Sequence, residues 1–169
     1  GGAVTDSGTL AITGATTISA SGQDITLDEA ASTFGTLALT GANVAVTENA
    51  ATDLAASTVS GTLGVTSTGV VTDSGTLAIT GATTISASGQ DITLDEAAST
   101  FGTLALTGSN VAVTENAAMD LGASTIGGTA NFNSTSNVIT DSGTLAITGA
   151  TTISASGQDI TLDEAASTF

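Results

Sequence analysis

The sequence predicts an all-β chain wound as a parallel β-helix (a β-solenoid), with about 22 residues per coil and three coils to each 67–68-residue repeat. Three observations point there. Long segments recur without change along the chain. Within them, short stretches alternate apolar and small polar residues and are punctuated by Gly. The apolar fraction, 40 % of the chain, is mostly Ala, Val, Leu and Ile, with four Phe and no Trp or Tyr. Small and β-branched side chains suit thin, regular layers better than one large globular centre.

The repetition sets the domain organisation. Val4 to Gly41 reads VTDSGTLAITGATTISASGQDITLDEAASTFGTLALTG, and Val71 to Gly108 reads the same. A third copy runs from Thr140 to Phe169. The spacing is 67 residues from Asp6 to Asp73 and 68 from Asp73 to Asp141, the extra residue falling near Ser136. The chain therefore reads as one solenoid over 1–169, with repeats at 4–70 and 71–138 and an incomplete one at 139–169. It also reads as a stretch of a longer array.

Each repeat divides again. TLALTGANVAVTE (36–48), TLGVTSTGVVTD (62–73) and TTISASGQDITLDE (83–96) each hold an alternating stretch, a small polar turn, a second alternating stretch and an acid. AASTF (30–34), AASTV (55–59) and TLAIT (76–80) precede them as a third apolar piece. Alternation of this kind is strand period. It points Leu37, Leu39, Val44, Val46, Val65, Ile85, Ile92 and Leu94 inward, with Phe34, Phe101 and Phe132 in wider coil interiors or corners. Gly35, Gly41, Gly61, Gly75 and Gly81 fall where the chain must bend. The expectation is three strands per coil and seven to eight coils, about 35 Å long at ~4.8 Å per coil.

The Gly-Thr-Leu-(Ala/Gly)-(Ile/Leu/Val)-Thr pieces, with short Thr/Ser/Gly/Asn turns, resemble the repeat regions of large bacterial surface proteins. The nearest likenesses are filamentous-haemagglutinin-type adhesins and autotransporter passenger domains. The resemblance implies a right-handed parallel β-helix, export to a bacterial cell surface, and structural, adhesive or filament-forming work. It carries over no site residue. The GGxGxD runs of calcium-binding nonapeptide solenoids do not occur.

Charge narrows the function. Sixteen acids stand against no Lys, Arg or His, a formal charge of −16. Phosphate backbones and anionic membranes both need cations that the chain lacks. No apolar run approaches the ~18 residues of a spanning helix. Without His, Cys or Lys, triads, Cys–His pairs, common zinc sites and Schiff bases are impossible. Paired carboxylates remain at Asp28–Glu29, Asp95–Glu96 and Asp163–Glu164. Sugar-cleaving β-helices usually add aromatic and basic groups around such pairs. The expectation is no enzyme, and partners that are either further copies of the chain or a ligand on a cell surface.

The acids recur. Asp6, Glu29, Glu48, Asp73, Glu96, Glu115, Asp141 and Glu164 each follow a second alternating stretch. Coils of equal length would stack them at one corner. Such a row is either a solvated acidic edge or a line of weak Ca²⁺ sites, with carboxylates and turn carbonyls as ligands. A second, partial row reads Asp24, Asn43, Gly69, Asp91, Asn110, Asn137 and Asp159. The outward set Thr36, Thr40, Thr62, Thr66, Thr84 and Ser86 raises the alternative of an ice-binding face, though Thr is also simply a good strand residue.

Overall fold

Backbone amides and carbonyls of a thin chain with little core must pair with a neighbour, and here the neighbour is the next coil. The computed structural model describes all 169 residues. It contains no helix; 21 short strands fall into one sheet of 11 and one of 10. Every strand pairing is parallel. The chain is a parallel β-solenoid of about eight turns, as its repetition predicts.

The coil differs from the expected one in two respects. A coil such as 44–62 has the three strands expected, but they fall into two sheets. From Thr36–Gly41 in the second sheet the chain turns into Val44–Glu48 in the first, then returns to the second as Thr52–Leu54 and Ser57–Val59. Those last two strands pair with the two halves of Thr36–Gly41, with one extra residue between them. That bulge removes a ladder bond. Ser57 restores it: the Leu39 amide donates to Ser57 Oγ (2.9 Å), which donates on to the Ala55 carbonyl (2.8 Å). AASTV and TLAIT are thus the second halves of bent strands, whereas AASTF belongs to a turn.

The coil is also shorter, about 20 residues instead of 22. Val4 pairs with Ile25, Ile25 with Val44, Val44 with Leu63, Leu63 with Thr83 and Thr83 with Leu104, steps of 21, 19, 19, 20 and 21. A 67-residue repeat therefore spans three and a half coils, not three. Identical sequences land on opposite sheets: Val4–Thr5 and Val44–Glu48 lie in the first, Val71–Asp73 and Val111–Glu115 in the second.

The interior is one aliphatic cluster of 33 buried residues. Leu27, Val46, Val65, Ile85 and Leu106 stack in one column, each paired to the next coil. All eight residues expected to face inward are buried, as are Phe34, Phe101 and Phe132. Sharp turns use Gly where φ must be positive. Gly22 (φ +74°) sits in a turn closed by the Gln23 amide on the Ala20 carbonyl (2.8 Å), and Gly89 and Gly157 repeat it.

Candidate functional site

Strand parity decides what the acids do. Val44, Val46 and Glu48 are alternate residues of one strand, so Glu48 points where the valines point. Glu48 is 1 % exposed and Glu115 fully buried. Asp73 and Asp141 follow Val71 and Ile139 in the same way and are buried too. The expected solvated edge is therefore not what these four form. In an uncharged interior a carboxylate needs donors, and the chain offers only amides and hydroxyls.

The donors come from the turn that each repeat inserts at DEAASTF. In the first copy the Ser32 amide donates to the Glu29 carbonyl (2.9 Å), closing the turn. The Ser32 hydroxyl accepts from the Leu10 amide of the preceding coil (3.0 Å). Acids then bracket the turn from both neighbouring coils. Asp6 Oδ1 accepts from the Asp28 amide (3.2 Å) at its start, and Glu48 Oε1 from the Phe34 amide (2.8 Å) at its end. The second copy repeats the start: the Asp95 amide donates to Asp73 Oδ1 (2.9 Å) and the Glu96 amide to Asp73 Oδ2 (3.4 Å). In the third, the Asp163 amide donates to Asp141 Oδ1 (2.9 Å).

Burial moves three of these groups. It raises the pKa of Glu48, against the Phe34 amide and the Thr52 hydroxyl, which favour the charged form. It raises Asp73 against the Asp95 and Glu96 amides, with the Asp95 carboxylate adding to the rise. It pushes Glu115 up to about 8, opposed only by the Phe101 amide. That amide does not reach hydrogen-bonding geometry, and both Glu115 oxygens lack a partner.

The single row of eight divides. Asp6, Glu29 and Glu48 follow successive strands of the first sheet, Asp73, Glu96 and Glu115 successive strands of the second, and Asp141 and Glu164 return to the first. The half coil in each repeat is the cause. Beyond Glu48 the first-sheet column continues with Ser67, not an acid. No three acidic side chains converge as a cation cage. Four of the eight face the core, while Glu96 and Glu164 are exposed on turns and Glu29 partly so.

The partial row also resolves differently. Asp24 Oδ1 accepts from the Asn43 amide and Nδ2 (both 3.0 Å), and Asn43 Oδ1 accepts from the Thr62 amide (3.1 Å) and hydroxyl (3.2 Å). Asp91, Asn110 and Thr129 repeat this ladder on the other sheet. Thr62, not Gly69, is its third member. Of the proposed Thr face, Thr36 and Thr40 lie on the second sheet, and Thr66, Thr84 and Ser86 on the first. The six do not share a surface.

A cavity of about 550 Å³ opens at the first coil, lined by Val4, Leu10, Ile12, Ile18, Leu27 and Phe34 among others. It is the end of the core column. Residues 1–40, 41–107 and 108–169 each match the DUF5649 family, described as repeats of unknown function. The chain belongs to that family. Its matched boundaries at 41 and 108 repeat the 67-residue period. Comparison with curated proteins and with solved structures found no match.

Proposed function

We propose that these DUF5649 repeats form a structural or adhesive length of rod on a bacterial cell surface. The observation that carries this is the repeat itself: each copy adds three and a half coils of the same core and no unique cleft. At ~4.8 Å per coil, one repeat extends the rod by about 17 Å and turns its pattern to the opposite face. Length and many equal weak contacts are what such a design supplies. Outer faces without charge supply the contacts. On the first sheet Ala45, Thr47, Gly64, Thr66, Thr84, Ser86, Ala105 and Thr107 point out with no acid among them. Partners of this reading are further copies of the chain or a cell-surface ligand.

The test is length against repeat number. Small-angle scattering of chains with one, two and three repeats should show the long dimension rising by about 17 Å each time, with constant cross-section. A cross-section that grows instead would end the rod reading. Labelling of intact cells with an antibody to the repeat tests the surface location.

A second reading, ice binding, is favoured by one column. Thr47, Thr66, Ser86, Thr107 and Thr125 stack on successive coils of the first sheet. The neighbouring column reads Ala45, Gly64, Thr84 and Ala105, so the hydroxyl array is one residue wide. Thermal hysteresis of the purified chain separates this reading from the rod.

A further inference from the structure

The first and second repeats differ at few places near the inward acids, and one difference lies against a carboxylate. The strand after Glu48 begins Thr52-Asp53-Leu54; the strand after Glu115 begins Met119-Asp120-Leu121. Thr52 and Met119 are both buried. The Thr52 hydroxyl donates to Ser67 Oγ (3.0 Å) and lies beside Glu48, where turning its hydrogen would favour the charged form, although Glu48 Oε2 has no partner in hydrogen-bonding geometry. Met119 has no hydrogen to give. Ser134, the partner of Glu115 on the following coil, donates its hydroxyl to the Ala117 carbonyl (2.9 Å). Glu115 is left with two buried oxygens and no donor.

We propose that Glu115 is a proton-holding position, carried as a neutral carboxylic acid at neutral pH, and that its ionisation loosens its own coil while the matching coil at Glu48 stays closed.

Every titratable neighbour favours the neutral form. On the preceding coils the acids nearest in register are Glu96, Asp95 and Asp73; the strand that follows carries Asp120, whose carboxylate accepts from Thr103 and Ser142 on the outside. The following coil, Ala130–Ser134, has no charged side chain. No Lys, Arg or His exists in the chain to pair with a Glu115 carboxylate. Neutralisation by a proton is the one remedy the interior allows. A neutral Glu115 also gains an O–H donor. The two repeats are thus chemically unequal despite their near identity, and the coil at Glu115 is the one that responds to alkaline pH.

Carboxyl ¹³C NMR of the glutamate-labelled chain reads this directly, since only Glu29, Glu48, Glu96, Glu115 and Glu164 contribute. The Glu115 resonance, assigned with Glu115→Gln, should titrate at about 8, well above the ordinary carboxylate range. Met119→Thr should lower that midpoint by a unit or more. Wild type should lose melting temperature between pH 6 and 9, and Glu115→Gln should lose less. A Glu115 resonance already ionised at pH 6 would overturn the proposal, as would superimposable pH profiles for wild type and Glu115→Gln. An unmoved midpoint in Met119→Thr would overturn the role given to Met119.

Discussion

Glu48 and Phe34 are fourteen residues apart in sequence and one coil apart in space, joined by an amide-to-carboxylate bond of 2.8 Å. The bond closes the DEAASTF turn, which must rejoin the ladder after leaving it. Removing the acceptor leaves a buried amide unpaired and a cavity beside the core. Glu48→Ala should therefore cost about 2–4 kcal/mol in urea unfolding. Glu48→Gln keeps a carbonyl acceptor and sheds the cost of a buried charge, so it should sit within about 1 kcal/mol of wild type at pH 7. If alanine and glutamine proved equally damaging, charge rather than the acceptor would be what Glu48 contributes.

Gly81 and Gly64 make opposite predictions from the same residue type. A Cβ on Gly81 would lie 2.5 Å from the Gly61 carbonyl oxygen of the preceding coil, while one on Gly64 would meet nothing nearer than 3.9 Å. Backbone cannot step aside in a stack where each coil is bonded to the next. Gly81→Ala should lower the melting temperature sharply, at a cost of about 2 kcal/mol or more. Gly64→Ala should be neutral or slightly stabilising, since strand Gly costs conformational entropy. Equal melting temperatures for the two variants would contradict the coil spacing.

Much of this was legible in the sequence because strand parity and repetition are local signals. Leu37, Leu39, Val44 and Val46 announce their side of the strand by alternation, and the same rule applied one step further places Glu48 and Asp73 inside. What hid them was chemistry: an acid after a strand reads as a solvated corner. Parity was the better guide, because nearby amides give the carboxylate partners. The half coil was hidden for another reason. A two-sheet coil presents similar strands on both sides, so Val4 and Val71 look equivalent in sequence while lying on opposite sheets. Only the pairing of Val4 with Ile25, and of Val71 with Thr52 and Ile92, separates them.

Ca²⁺ should do no more than its ionic strength. Asp6, Glu48, Asp73 and Asp141 each accept a backbone amide, Glu115 is enclosed, and the turn acids Glu29, Glu96 and Glu164 do not gather in threes. Ca²⁺ takes about six to eight oxygens, which this arrangement does not assemble. Melting temperatures should rise with salt, because 16 uncompensated acids repel within about a Debye length. They should then be equal in CaCl₂ and NaCl of matched ionic strength. A higher value in CaCl₂, abolished by chelator, would restore cation sites at the turns.

The pH profile should run opposite to that of most proteins. Burial raises Glu48 and Asp73 above the ordinary carboxylate range and lifts Glu115 to about 8. A raised folded pKa means that the folded chain binds more protons than the unfolded one. Their contribution is complete below the unfolded values, near 4, and is lost as pH rises through the folded ones. Stability should therefore be highest near pH 4 and decline toward pH 8, Glu115 setting the upper end. Ordinary acid denaturation needs a build-up of positive charge, and with no Lys, Arg or His the chain at pH 3 retains only its amino terminus. Unfolding by urea should thus require more denaturant at pH 4 than at pH 8. Solubility should move the other way, because the charge that keeps the rods apart is the charge being titrated. Sedimentation at pH 4 should show association of folded rods with unchanged far-ultraviolet circular dichroism. Loss of the β signal on acidification would mean that the inward carboxylates are needed in their charged form, and the bonding described for Glu48 and Asp73 would have to be redrawn.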